Sequence, residues 1–171
     1  DLENYSDIQL SDGLSRWAIC DILDETDSKK IDGKILDRTR NQKGNIGEFG
    51  CDIFDDGAII TIGQTKYHKK FGDAINAGDI EKIEKTIEYL QTCTDVGGKT
   101  KYGPLDGNQE PLGSEEFQDA SKAFVSENDK TKRIIFITTE TLTENIQAPM
   151  AWNKLKKKYP DYRFEMYDIE R

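Results

Sequence analysis

Asp52, Gln64 and Lys66 are of the types that can act on a charged substrate. Alternate side chains of an extended strand share a face, so Gln64 and Lys66 should emerge together at the end of the apolar row of Ile60 and Ile62. A carboxylate and an amide oxygen can bind a hard cation such as Mg²⁺, and a neighbouring ammonium can stabilise an anion. The pattern therefore favours metal-assisted chemistry on an anionic substrate.

A β-hairpin is the element that must bring these residues together. The sequence Asp55-Asp56-Gly57 lies between two β-rich runs, and an Asp-Gly pair in that position predicts a tight turn. A simple two-residue turn would pair Asp52 with Thr61 and leave Gln64 roughly 10 Å further along the strand. A bulge or a longer, asymmetric loop would be needed to bring Asp52 and Gln64 together.

The arrangement of Asp52, a hairpin and then Gln64-Thr65-Lys66 resembles the signature of the PD-(D/E)XK nuclease superfamily. The Gln-x-Lys form is similar to that of the Mrr-like restriction endonucleases and of the nuclease domains of abortive-infection phage-resistance proteins. The Gly-rich approach to Asp52 and the aromatic Tyr67 after the lysine also resemble these families. Thr138-Thr139 is similar to the strand-end Thr or Ser that follows the core hairpin in Mrr-like domains.

This resemblance implies a metal-dependent DNA endonuclease of the restriction or phage-defence type. Asp52 and Gln64 would bind Mg²⁺ or Mn²⁺, and a backbone carbonyl near Thr65 would complete the shell. Lys66 would position or deprotonate the attacking water and stabilise charge on the phosphate. Gln64 is neutral where most members of the superfamily carry Glu or Asp, so Asp21 is expected to supply the missing charge as a further metal ligand.

The first helix is the predicted source of that acidic residue. The spacing predicts a helix from Leu14 to Glu25. Its apolar face is predicted to comprise Leu14, Trp17, Ala18 and Ile22. Asp21 follows Trp17 by four residues and should lie on the same side, where a carboxylate is costly unless it has a partner or reaches solvent. A solvent-accessible edge position is the other interpretation, and Glu25 and Glu48 are the alternatives for the acidic role.

Basic residues on both sides of the predicted site are candidates for substrate binding. Arg40 and Lys43 precede a Gly-rich stretch, and Lys69 and Lys70 follow the motif, so these four side chains could contact DNA phosphates. A solvated loop is the competing interpretation. His68 is the only histidine, which gives no support to a histidine metal site or a Ser-His triad.

The rest of the chain predicts alternating helices and strands. Helices are predicted from Asp79 to Thr92, from Ser114 onward and from Gln147 to Lys158, and strands at Arg133–Thr138 and Tyr162–Ile169. The Gly- and Pro-rich segment Thr94–Gly113 predicts a mobile loop. These elements predict an α/β fold with a mixed β-sheet flanked by helices, and the resemblance implies a restriction-endonuclease-like core, of which one strand is not evident.

Length and composition limit the possible functions further. The 171 residues predict a single nuclease-like domain over residues 1–171, or a part excised from a larger protein. A net charge of −9 argues against nonspecific coating of nucleic acid, yet basic residues can cluster locally. Three widely spaced cysteines predict reduced thiols in a cytoplasmic compartment. No apolar run has the length of a membrane span.

DNA is the expected partner, together with a second copy of the chain or fused helicase or methyltransferase domains. The alternative is a catalytically inactive nuclease-fold module that binds DNA or a protein partner. The neutral Gln64 and the net acidity both favour that alternative. A third interpretation is a general α/β interaction domain in which the Gln-x-Lys motif is accidental.

Overall fold

The computed structural model describes residues 5–23, 26–29, 31, 51–55, 59–67, 74–112, 115–126, 128–141 and 147–168. The helices are α1 (Asp7–Leu23), α2 (Ala77–Leu90), α3 (Glu115–Ser126) and α4 (Gln147–Lys158). The strands are β1 (Cys51–Asp55), β2 (Ile59–Lys66), β3 (Cys93–Val96), β4 (Lys99–Tyr102), β5 (Thr131–Thr138) and β6 (Arg163–Tyr167). The chain is therefore a mixed α/β protein, as the sequence predicts.

The main sheet of the described residues has four strands in the order β1-β2-β5-β6. Strand β1 is antiparallel to β2, whereas β2, β5 and β6 run parallel to one another. Strands β3 and β4 form a separate two-stranded antiparallel sheet. Because β2, β5 and β6 are parallel, their carboxyl ends lie at the same edge of the sheet.

The predicted hairpin of β1 and β2 is present, but its register is not that of a two-residue turn. Asp55 pairs with Ile60, and Asp52 pairs with Gly63. The loop is thus longer than a simple Asp-Gly turn, which moves Asp52 two residues closer to Gln64 than the tight-turn register would allow. A longer loop is one of the two arrangements expected to bring Asp52 nearer to Gln64, although Asp52 pairs with Gly63.

The apolar core lies on both faces of the sheet, and the larger part is covered by α2, α3 and α4. Helix α2 contributes the predicted stripe of Ile80, Ile83, Ile87 and Leu90, all of which are buried. The opposite face carries a smaller cluster in which Ala18 of α1 packs against Ile135 and Ile137 of β5. Helix α1 and helix α2 therefore lie on opposite sides of the sheet.

Helix α1 differs from its prediction in both its start and its buried face. It begins at Asp7 because Ser6 and Gln9 form a capping box, in which the Ser6 backbone N–H donates to Gln9 Oε1 at 2.9 Å and Gln9 N–H donates to Ser6 Oγ at 3.3 Å. Trp17 is 49% exposed, whereas Ile19 is fully buried. The predicted apolar face is therefore confirmed at Ala18 and at Leu14, which packs against the same cluster, and wrong at Trp17, whose place on the buried side is taken by Ile19.

The Gly-rich segment 94–113 is not the structureless loop that its composition predicts. Its first part contains the β3–β4 hairpin, in which Val96 pairs with Lys99 across Gly97 and Gly98. Both glycines have positive φ, of 60° and 78°, which is the conformation that a two-residue hairpin turn requires. A Gly-Gly pair between short polar strands was the signal for this turn, and the prediction of a loop without secondary structure is wrong.

Strand β6 is joined to β5 by a bidentate ion pair as well as by the backbone. Arg133 Nε and Nη2 donate to the two carboxylate oxygens of Glu165 at 3.0 and 2.6 Å, and the Tyr167 hydroxyl also donates to Glu165 at 3.1 Å. The hydrogen bonds from Arg133 lower the pKa of Glu165 below its usual value of 4.5, against the raising effect of burial. The pair therefore favours the charged carboxylate in the folded state.

Within the described ranges, every helix is too short or too polar to cross a membrane.

Two glycine substitutions should change stability in opposite directions. Gly13 lies inside α1 and its added Cβ would meet no atom within 4 Å, so Gly13→Ala should raise the free energy of unfolding by about 0.5–1 kcal/mol. Gly98 has a φ of +78°, so Gly98→Ala should lower it by about 1 kcal/mol. Urea denaturation measures both, and two changes of the same sign would contradict the assigned backbone conformations.

The Glu165 ion pair should make stability depend on pH at the acidic end. Because the folded-state pKa of Glu165 lies below its unfolded value of 4.5, its contribution is present above pH 4.5 and is lost as the pH falls through the folded-state pKa. The variant Glu165→Gln should be less stable than the wild type at neutral pH, and the difference should shrink on acidification. Thermal unfolding between neutral and acidic pH measures it, with Glu81→Gln as the matched control at an exposed helix position.

Candidate functional site

The carboxyl ends of β2 and β5 form the edge at which the candidate site lies. Lys66 and Thr138, the last residues of the two strands, are directly paired in the parallel register. The next residue, Thr139, donates its backbone N–H to the Lys66 carbonyl at 3.3 Å. Thr141 then accepts a hydrogen bond from the backbone N–H of Ile75 at 2.9 Å, just before α2 begins. Three separate parts of the chain therefore meet around Lys66.

Lys66 is flanked by two buried carboxylates from those other parts of the chain. Its ammonium forms an ion pair with Asp79 Oδ2 and lies 3.9 Å from Glu140 Oε2. The side chains of Asp79 and Glu140 are 6% and 5% exposed, and that of Lys66 is 26% exposed. Lys82 Nζ lies 3.8 Å from the other oxygen of Asp79. We call Lys66, Asp79, Glu140 and Gln64 the Lys66 cluster.

Local structure fixes both carboxylates in place. Asn76 caps α2 by accepting a hydrogen bond from the backbone N–H of Gly78 at 2.9 Å, which puts Asp79 in the first turn. A negative charge there is favoured by the helix dipole. Glu140 donates its backbone N–H to Thr138 Oγ1 at 3.1 Å, and that hydroxyl lies 3.4 Å from Glu140 Oε2. Both acids therefore belong to ordered backbone turns at this edge.

Gln64 is the least satisfied polar side chain of the cluster. It is 7% exposed, and its Oε1 has no hydrogen-bond partner among the residues that the structure describes. It precedes Lys66 by two residues on β2, so the two side chains share a face of the sheet. A buried acceptor without a partner costs about 1–3 kcal/mol. The amide oxygen is thus suited to accept a hydrogen bond or to bind a cation supplied from outside the chain.

The structure describes only the backbone of Asp52, and Asp52 is not the residue of β1 that pairs with Gln64. It pairs with Gly63, while Cys51 pairs with Gln64. Directly paired residues of an antiparallel ladder belong to the same face, so position 52 falls in the set of Gly63 and Thr65. Its predicted role as a metal ligand rests on a side chain that lies outside the described atoms, and it stays a prediction.

Thr65 connects the sheet to α1 through its side chain. Its Oγ1 is hydrogen-bonded to Ser15 Oγ, and both residues are buried. This contact lies on the face of β2 opposite Gln64 and Lys66. The role predicted for Thr65 is a metal contact through a backbone carbonyl near it. That role stays a prediction.

Asp21 does not take the inward position that was predicted for it. It is exposed on α1, and α1 packs on the sheet face opposite Gln64 and Lys66. The reason is the rotation of α1, because Ser15, Ala18 and Ile19 form its buried side instead of Trp17. The expectation that Asp21 points inward is therefore wrong, and its role as a metal ligand stays a prediction.

The remaining predicted residues lie outside the part of the chain that the structure describes. They are the substrate-binding candidates Arg40, Lys43, Lys69 and Lys70, the histidine His68, and the alternative acids Glu25 and Glu48. Their roles stay predictions.

Asp79 and Glu140, which the structure brings close to Lys66, were not among the predicted site residues. The signal for Asp79 was local, because Asn76 followed three residues later by an acid is a helix-start pattern. Glu140 had a weaker signal, since it follows the most strongly apolar strand of the chain. Its proximity to Lys66 depends on the parallel pairing of β2 with β5, which the spacing of residues in the sequence does not encode.

The oxygen donors of the Lys66 cluster fit a hard divalent cation. Across the described ranges, no three His, Cys, Asp or Glu side chains come together as a metal-binding group. Mg²⁺, however, is usually held by one or two protein carboxylates with water and phosphate, and it accepts amide oxygens. Two buried carboxylates and the unpartnered amide oxygen of Gln64 supply that donor set, although lysine ammoniums face both acids in this structure.

No protein-family model, curated protein or solved structure matches this chain. The nuclease resemblance therefore rests on the sequence alone, chiefly on Asp52 and on Gln64-Thr65-Lys66.

The ion pair of Lys66 and Asp79 should be visible as coupling between two substitutions. Lys66→Met leaves the buried Asp79 carboxylate with only the more distant Lys82, so it should lower the free energy of unfolding by about 1–3 kcal/mol. Adding Asp79→Asn removes the stranded charge, and the double variant should be no less stable than Lys66→Met. Urea denaturation measures the cycle. Lys82→Met, at a half-exposed position, is the control and should change stability by less than about 1 kcal/mol.

Proposed function

We propose that this chain is a metal-dependent DNA endonuclease domain of the restriction or phage-defence type. The observation that carries the proposal is the buried, unpartnered amide oxygen of Gln64 on the same face of β2 as the partly exposed Lys66, at the edge where β2 and β5 end. The order of the two residues is that of the nuclease motif. The mixed sheet and the β1–β2 hairpin that precedes the motif support a restriction-endonuclease-like core.

The side chains have distinct roles in this proposal. Gln64 would provide an oxygen ligand for Mg²⁺ or Mn²⁺, and the nuclease motif implies a second from Asp52, although position 52 falls in the set of Gly63 and Thr65. The bound cation would activate water and polarise the phosphodiester. Lys66 faces solvent with about a quarter of its side chain, so its ammonium can reach a phosphate and stabilise the negative charge that develops there. The basic residues Arg40 and Lys43 would contact the DNA backbone.

Lys69 and Lys70 would share the role of binding DNA phosphates, because they follow the motif directly. A second copy of the chain, or fused helicase or methyltransferase domains, would complete the DNA-cleaving assembly. A cytoplasmic location belongs to the same proposal.

The second candidate is a nuclease-fold module that binds DNA or a protein without cutting. One observation favours it, because the Lys66 ammonium forms an ion pair with Asp79. Such a module would need only the positive charges around the motif, whereas an endonuclease also requires the cation.

Cleavage of supercoiled plasmid by the purified chain in Mg²⁺ or Mn²⁺ tests the proposal. Lys66→Ala should lower the cleavage rate by about two orders of magnitude or more, because it removes a charge that stabilises the transition state. Lys82→Ala is the matched control, since it removes a neighbouring ammonium that lies on the far side of Asp79, and it should retain most of the activity.

The remaining outcomes separate the two candidates. Cleavage by Lys66→Ala at the wild-type rate would remove Lys66 from the mechanism. DNA binding by the wild-type chain without cleavage in either metal would favour the non-cutting module. Thermal unfolding of each variant accompanies the assay, so that a loss of folding is not mistaken for a loss of chemistry.

A further inference from the structure

Two buried carboxylates, those of Asp79 and Glu140, lie near Lys66, whereas one would be enough to hold its ammonium in position. Asp79 and Glu140 come from α2 and from the turn after β5, and their side chains are 6% and 5% exposed. Burying a carboxylate is costly unless a cation stands close to it. The Lys66 ammonium bonds to Asp79 and lies 3.9 Å from Glu140, so one positive charge lies close to both acids, and Lys82 approaches Asp79 at 3.8 Å.

From this arrangement we propose that Asp79 and Glu140 bind one divalent cation together with the amide oxygen of Gln64, and that the Lys66 ammonium stands in for this cation when none is bound. The inference rests on the proposed function and deepens it by naming the acidic ligands of the same site. They take the place that the sequence analysis gave to Asp21.

Gln64 provides an independent observation for a ligand at this place. Its side chain is buried on the same face of β2 as Lys66, and Asp79 covers that face by its contact with Lys66. Its Oε1 has no hydrogen-bond partner among the described residues. An ion pair between Lys66 and Asp79 alone would not require a buried amide oxygen beside it. A cation, or the water that it carries, would satisfy this oxygen.

The two cations compete because they use the same carboxylate oxygens. A divalent ion bound to Asp79 and Glu140 repels the nearby ammonium, so its binding moves Lys66 away from Asp79. The partial exposure of Lys66 leaves room for this movement toward solvent, where a substrate phosphate would lie. Cation binding would thereby release the lysine that the reaction needs.

If Lys66 and the divalent cation compete for the same carboxylates, substituting a ligand and substituting the lysine should change the cation affinity in opposite directions. Asp79→Asn and Glu140→Gln each remove a ligand, so each should weaken Mn²⁺ binding by at least about tenfold. Lys66→Gln removes the competing charge and should strengthen Mn²⁺ binding severalfold. A lysine that only supports the fold would not produce tighter binding when it is replaced.

Titration of the 171-residue chain with MnCl₂ in the absence of DNA tests this inference. Electron paramagnetic resonance of unbound Mn²⁺ gives the affinity, and calorimetry with MgCl₂ repeats it for the second ion. Asp119→Asn is the matched control, because it removes an exposed carboxylate from α3 and should leave the affinity unchanged. Equal affinities of the wild type and Asp79→Asn, weaker binding by Lys66→Gln, or no binding by the wild type would each overturn the inference.

A second measurement on the wild type covers the case in which a variant does not fold. Mn²⁺ broadens nuclear magnetic resonance signals close to it. Substoichiometric Mn²⁺ should therefore remove the side-chain amide signals of Gln64 and leave those of Gln118, on the outer helix α3, in place. Persistent Gln64 signals would overturn the proposed site.

The two proposals fail separately. Mn²⁺ binding that depends on Asp79, without DNA cleavage, would refute the endonuclease and leave the cation site in place. DNA cleavage with Mn²⁺ binding unchanged in Asp79→Asn and Glu140→Gln would support the endonuclease and refute these ligands.

Discussion

The parallel pairing of β2 with β5 is the constraint on which the candidate site depends. The register joins Ile59–Lys66 to Thr131–Thr138 along the full length of both strands, so the two strands end together. A parallel pair requires a crossover connection, and here that connection contains α2, the β3–β4 hairpin and α3. Lys66, Asp79 and Glu140 are distant in the sequence and adjacent in space because of this crossover.

Much of the scaffold could be predicted from local patterns. Three elements each carry a clear local signal: α2 has an apolar stripe, β5 an apolar run and α4 a lysine-rich end. The structure places all three close to the predicted bounds. Helix α1 was harder to predict. Its exposed Trp17 and its buried Ser15 contradict a simple apolar stripe, and the hydroxyl of Ser15 is buried because it meets Thr65 across the sheet. That partner lies fifty positions away in the chain.

Only the part of the candidate site that lies on β2 could be predicted from the sequence. Gln64 and Lys66 share a face because of the two-residue period of a strand, and this holds in any register. The positions of Asp52 and Asp79 depend on how other elements pair with β2. A loop two residues longer moves Asp52 from the partner of Thr61 to the partner of Gly63, and no short-range signal specified that length.

The neutral side chain at position 64 has a physical explanation in the charges around it. Asp79 and Glu140 carry two negative charges, and Lys66 and Lys82 carry two positive charges within 4 Å of them. The formal charge of these four groups is therefore zero, and the edge can fold without a bound ion. A glutamate at position 64 would add a third buried carboxylate, while the ammonium groups of Lys66 and Lys82 already face Asp79 and Glu140. Glutamine keeps an oxygen acceptor at that position and avoids the cost of burying another charge.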